Sequence, residues 1–123
     1  MKIRLRGNSI RLRLTRSEVD VIGHGESVSE RTVFPNGAVL ATTLTASDGS
    51  KLCVEFRDAE LIVTAPAAAL NRWALGDAVG LDDLASPDNF TVVVEKDFSC
   101  LSPRAGGDDD DTFPHPEAGS GRC

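Results

Sequence analysis

Lys2-Ile3-Arg4-Leu5-Arg6-Gly7-Asn8-Ser9-Ile10-Arg11-Leu12-Arg13-Leu14 alternates aliphatic and cationic side chains on both sides of a Gly-Asn pair. Alternation of this kind marks a half-buried strand, and two such runs joined by a two-residue turn read as a hairpin. With Gly7-Asn8 as the turn, Leu5 pairs with Ile10 and Ile3 with Leu12 on one face. On the other face Arg4 stands opposite Arg11, and Lys2 opposite Arg13. Because a slip of one residue would mix the two sets, the pattern specifies its own register and opens the chain as antiparallel sheet.

Directly after this hairpin, Thr15-Arg16-Ser17-Glu18 has the form of a capping box, with Val19 and Ile22 on one side and Gly23 as a stop. A short helix is expected there. Residues 27–34 and 38–46 flank Asn36-Gly37, a hairpin turn. A Ser47-Asp48-Gly49 loop with Gly49 left-handed then predicts pairs of Leu44 with Leu52, Thr42 with Val54 and Leu40 with Phe56. A tight turn at Asp58-Ala59 sets Phe56 against Leu61, Val54 against Val63 and Arg57 against Glu60, completing a three-stranded meander.

Pro66 suits the first turn of a helix over residues 67–75, in which Leu70, Trp73 and Ala74 share a face and Gly76 follows the end. Trp73 is expected to be a core anchor. Residues 77–89 read as loop, and the β-branched run over 90–95 as an interior strand. The expected fold is α+β: a mainly antiparallel, hairpin-built sheet of about seven strands with two short helices packed on it. One domain covers residues 1–101. Residues 102–123, rich in Gly, Pro and Asp, form a disordered acidic tail without apolar periodicity.

A length of 123 residues with 41% hydrophobic residues supports one core and excludes a multidomain enzyme with a separate cofactor domain. Residues 61–70, the longest apolar stretch, are about half of the ~20 needed to span a bilayer, so no membrane association is expected. Charges interrupt the opening residues where a secretory signal needs an apolar segment, and a cytoplasmic location follows. Three cysteines in that compartment read first as free thiols or metal ligands.

Charge is distributed unevenly. Residues 1–16 carry six Lys and Arg and no acid, whereas residues 17–123 carry seven against nineteen Asp and Glu. Like charges directly opposite on a sheet destabilise it, so the Arg4/Arg11 and Lys2/Arg13 pairs require either acids from neighbouring strands or an external anion. Glu30, Glu55, Glu60 and Glu95 are the acids within the ordered region that could serve. Arg4, Arg6, Arg11 and Arg13 are the candidate anion-binding residues, since the guanidinium fork matches phosphate and carboxylate. A third arrangement folds residues 108–111, four consecutive Asp, back onto this face as an internal mimic of an anionic partner. Nucleic acid is not supported as that partner: no aromatic is interleaved with the arginines to stack on bases.

Cys100, His115 and Cys123 gather soft and borderline ligands near the C-terminal end and are the candidate metal residues, zinc being the ion implied; their spacing matches no common zinc signature. Cys53 reads as a thiol sheltered between the sheet and another element. Catalytic motifs are missing: there is no nucleophile elbow and no phosphate-binding glycine loop. One enzymatic alternative is a polyphosphate tunnel, a closed antiparallel barrel lined by Arg4, Arg6, Arg11, Arg13, Glu55, Arg57, Glu95 and Lys96, though the opening is Lys-x-Arg-x-Arg where such enzymes carry Glu-x-Glu-x-Lys.

The Lys2–Leu14 opening, together with the ending Glu95-Lys96-Asp97-Phe98-Ser99-Cys100-Leu101, the acidic run, Phe113-Pro114, Pro116 and Cys123, resembles a family of small uncharacterised bacterial proteins, a domain of unknown function. The resemblance spans nearly the whole chain and implies one domain, with no catalytic residue to assign. The sequence therefore leads to a non-enzymatic binding or interaction module that uses the Arg4, Arg6, Arg11 and Arg13 face for an anionic ligand or partner and needs no cofactor. A zinc- or redox-linked tail is the alternative.

Overall fold

The computed structural model describes residues 1–81, 84–98 and 113. Among them the elements follow in the order β1 (Lys2–Leu5), β2 (Ser9–Leu14), α1 (Arg16–Gly23), β3 (Val28–Val33), β4 (Val39–Ser47), β5 (Cys53–Arg57), β6 (Glu60–Pro66), α2 (Ala67–Leu75) and β7 (Thr91–Lys96). Seven strands and two short helices make an α+β fold, as expected.

The opening hairpin has the register that its alternation requires, from Lys2 opposite Arg13 to Leu5 opposite Ile10. At its turn the Arg6 N–H donates to the Ser9 carbonyl at 3.2 Å, and Gly7 takes a left-handed φ of 53°, which glycine adopts without steric cost. Ile10, Leu12 and Leu14 are buried on the inner face, each contributing about 1.5–3 kcal/mol through removal from water.

The strands form two sheets, ordered β1-β2-β7 and β3-β4-β6-β5, each holding one parallel ladder: β2 with β7 and β4 with β6. The expected β4–β5 hairpin is therefore replaced. Gly49 is not left-handed, and β6 lies beside β4 from Ala41 opposite Glu60 to Ser47 opposite Pro66. The reason is compositional. A seat between two strands has both edges hydrogen-bonded and favours the more apolar strand, which is β6 with Leu61, Ile62, Val63 and Ala65; β5 carries Glu55 and Arg57, which stay solvated at an edge. The β5–β6 hairpin itself keeps its expected register, and Asp58 and Ala59 form its two-residue turn with φ of 53° and 61°.

At α1 the capping box closes as the sequence predicts. The Glu18 N–H donates to Thr15 Oγ1 at 3.3 Å, and the Thr15 N–H donates to Glu18 Oε1 at 2.9 Å. Glu18 Oε2 also accepts from the Met1 ammonium at 2.6 Å, which donates in addition to Glu30 Oε1 at 2.8 Å. Burial alone would lower the pKa of this ammonium, but the hydrogen bonds to both carboxylates and their charges outweigh it and raise it above 8.0. A group raised in the folded state adds stability that is complete below its unfolded pKa and is lost as pH climbs through the folded one. Glu30→Gln should accordingly melt below the wild type at neutral pH, and the difference in Tm should shrink above pH 8.0. Scanning calorimetry along that range measures it; a difference independent of pH would contradict the pairing.

Helix α2 has its expected bounds. Gly76 follows it, where a Cβ would lie 2.9 Å from the Arg72 carbonyl oxygen. The two helices pack on each other, α1 also on β2 and β3, and α2 also on β4 and β6, so one core joins both sheets. Trp73 is buried in it, as expected of an anchor, and its Nε1–H donates to the Val79 carbonyl at 3.1 Å. β7 is the last strand of its sheet rather than an interior one. Its outer side is covered by a chain segment: the Leu81 N–H donates to the Val94 carbonyl at 2.8 Å and the Lys96 N–H to the Val79 carbonyl at 2.9 Å.

Candidate functional site

Because Ile10, Leu12 and Leu14 face the core, Ser9, Arg11 and Arg13 of β2 face outward, between Lys2 and Arg4 of β1 and Thr91, Val93 and Glu95 of β7. The four arginines named from the sequence are thus brought to one side of this sheet. Arg4, Arg6 and Arg11 line a groove of about 190 Å³ with Ser9 and Thr91. Arg4, Arg11 and Arg13 border a second, of about 180 Å³, with Lys2.

Carboxylates compensate part of this face. Glu95 Oε1 accepts from Arg13 Nε at 2.7 Å and lies 3.6 Å from an Arg11 Nη. Lys2 Nζ pairs at 3.0 Å with the buried Asp97. The other acids weighed from the sequence are used elsewhere: Glu30 on the Met1 ammonium, Glu55 on Arg57 at 3.5 Å, and Glu60 on the Thr43 hydroxyl, which donates at 2.9 Å. Among the described residues no carboxylate pairs with Arg4 or Arg6.

The tunnel alternative does not assemble. Its lining is divided, with Arg4, Arg11, Arg13 and Glu95 on one sheet and Glu55 and Arg57 on the other, and the described strands form two open sheets instead of a closed antiparallel barrel. Cys53, expected to be sheltered, is an exposed free thiol at the start of the edge strand β5. Cys100, His115 and Cys123 lie outside the described residues, as does the run over 108–111. Among the described residues no three His, Cys, Asp or Glu side chains are grouped to hold a metal ion.

One cluster was not foreseen. Alternation along β7 buries Val92, Val94 and Lys96, so a lysine occupies a core position at 4% exposure. Its Nζ donates to the Gly76 carbonyl at 2.8 Å, at the C-terminal end of α2 where the helix dipole is negative. It also lies 5.8 Å from the Trp73 ring centroid and 5.1 Å from that of Phe113. Burial lowers its pKa, opposed by the charge of Asp77. Phe113, from the segment expected to be a free tail, packs on the core here. Its N–H donates to the Asp97 carbonyl at 2.8 Å, and its ring lies 5.7 Å from Phe98 and 5.6 Å from the Arg16 guanidinium. The signal was present in the sequence as a lysine in phase with two inward valines.

No helix among the described residues is long and apolar enough to cross a membrane. The chain matches no curated protein and no solved structure. The cationic opening hairpin, the Glu95-Lys96-Asp97 segment that answers its charge and the docked Phe113 all fall within residues 1–117, which match one family model, and the chain belongs to that Family of unknown function (DUF7009).

Proposed function

We propose that this protein is a small binding module that holds an oxyanion against Arg4, Arg6 and Arg11 on the outer face of the β1–β2 hairpin. The observation that carries this reading is the incomplete compensation of that face. Arg13 and Lys2 have close carboxylate partners, Arg11 shares Glu95 at longer range, and Arg4 and Arg6 have none among the described residues although Arg4 stands directly opposite Arg11. Like charges across a ladder are unfavourable, and an anion between them reverses the sign of the interaction. The three arginines border the same groove as Ser9 and Thr91, so positive charge gathers around a space large enough for a phosphate or carboxylate group.

Inorganic phosphate and pyrophosphate are the probes. Titrated into the full chain at low ionic strength, either should shift the amide resonances of Ser9, Thr91 and Val93 before others. Replacing both Arg4 and Arg6 with Gln removes donors whose charge-assisted hydrogen bonds contribute about 1.5–3 kcal/mol each, so affinity should fall at least about tenfold. Tm should hold or rise, because the change relieves repulsion. Binding unaffected by the double change, or shifts elsewhere on the protein alone, would overturn the reading.

A further inference from the structure

We propose that the free edge of β5 pairs with the same edge of a second copy of this chain, antiparallel about a two-fold axis through Phe56. The two sheets end in four strands, β1, β7, β3 and β5. β7 is covered by residues 79–81. No backbone hydrogen bond joins β5 to anything but β6 among the described residues, and none of those residues pairs with its outer row of donors and acceptors.

Self-pairing is constrained by parity. In an antiparallel ladder a residue can face only residues of the same phase, since the two sides of a strand alternate between hydrogen-bonding directions. On β1 this rule sets Lys2 and Arg4 against the same cations of another copy. On β3 it pairs Glu30 with Glu30, Val28 or Thr32, and Arg31 with Arg31, Ser29 or Val33, so acid never meets base. β5 alone carries an acid and a base in the same phase, Glu55 and Arg57.

Because Arg57 and Glu60 close the two-residue turn, Cys53, Glu55 and Arg57 direct their backbone groups to β6, and Val54 and Phe56 direct theirs outward. A register centred on Phe56 uses those outward groups. It also sets Glu55 opposite the second copy's Arg57, and Arg57 opposite the second copy's Glu55, in the non-hydrogen-bonded positions where side chains come closest. The two Phe56 rings, each 64% exposed in the single chain, meet at the axis. The second copy's Asp58-Ala59 turn is carried toward a groove of about 360 Å³ between residues 51–54 and 85–88. The contact is isologous and doubles the four-stranded sheet.

Analytical ultracentrifugation of the full chain over a concentration series tests this. The wild type is expected to dimerise with a dissociation constant below about 1 mM. E55R and R57E, each puting like charges in both pairs, should separately raise it at least about tenfold, as should Phe56→Ser. Mixing E55R with R57E in equal amounts should restore dimers, because every cation then faces an acid again. Phe56→Ser keeps the test open if either charge variant fails to fold by circular dichroism. A wild type that stays monomeric, a dimer indifferent to the folded variants, or a mixture of folded charge variants that does not associate would each overturn the proposal.

Discussion

Trp73→Ala should cost about 3–5 kcal/mol, a large part of the roughly 5–15 kcal/mol that holds a typical domain folded. Three losses coincide at this position. The side chain is 3% exposed in the core that joins both sheets, so truncation leaves a cavity that packed neighbours fill incompletely. The Val79 carbonyl loses its indole donor, and Lys96 loses one of the two rings against which its ammonium rests. Trp73→Phe should cost less, since much of the volume remains. As Trp73 is the only tryptophan, urea unfolding must be followed by circular dichroism and not by fluorescence. A cost below about 1 kcal/mol would mean that α2 is not anchored as described, since surface changes usually stay within that range.

The second large effect concerns one strand with two unlike faces. Leu12→Ala should destabilise by about 2–5 kcal/mol, because Leu12 has no exposed surface and lies on the central strand β2 between Ile3 and Val94. Its neighbour Arg11 points to solvent, and Arg11→Gln should change stability by no more than about 0.5 kcal/mol. Denaturant unfolding of the two variants side by side reads the register directly. Similar costs at both positions would contradict the assigned facing of β2.

Local chemistry explains what could be read in advance. The β1–β2 and β5–β6 registers follow from two-residue turns flanked by patterned strands, and α1 from a capping box whose two hydrogen bonds both form. Helix α2 was legible because Pro66 and Gly76 punctuate it. What sequence proximity misled about was the order of strands. Leu44, Thr42 and Leu40 match Leu52, Val54 and Phe56 in phase, but Thr42 and Leu44 also match Leu61 and Val63 of the more apolar β6 in a parallel sense, and burial decides between them. Nor could a local pattern show that β7 returns beside β2, or that the chain makes two sheets where one was expected. At the candidate site the arginine face was legible, since alternation alone gathers it. The division of its acids was not: Glu95 reaches the face through the β2–β7 ladder, whereas Glu30 is drawn away by the Met1 ammonium.

The β2–β7 ladder also governs when the molecule can be completed. It joins residues 9–14 to residues 91–96, so the first hairpin cannot gain its second neighbour until most of the chain exists. At a synthesis rate of about 5–20 residues per second, this leaves β2 waiting roughly 4–16 s after it is made. Through that interval one edge of β2 is unpaired while Ile10, Leu12 and Leu14 have only part of their core. Arg11 and Arg13 on the same strand are charges of the kind that keep an open edge from joining another chain. Arg11, proposed to hold an anion in the finished protein, thus also guards the nascent one, and the closing of such distant partners makes folding slow compared with a helical bundle of this length.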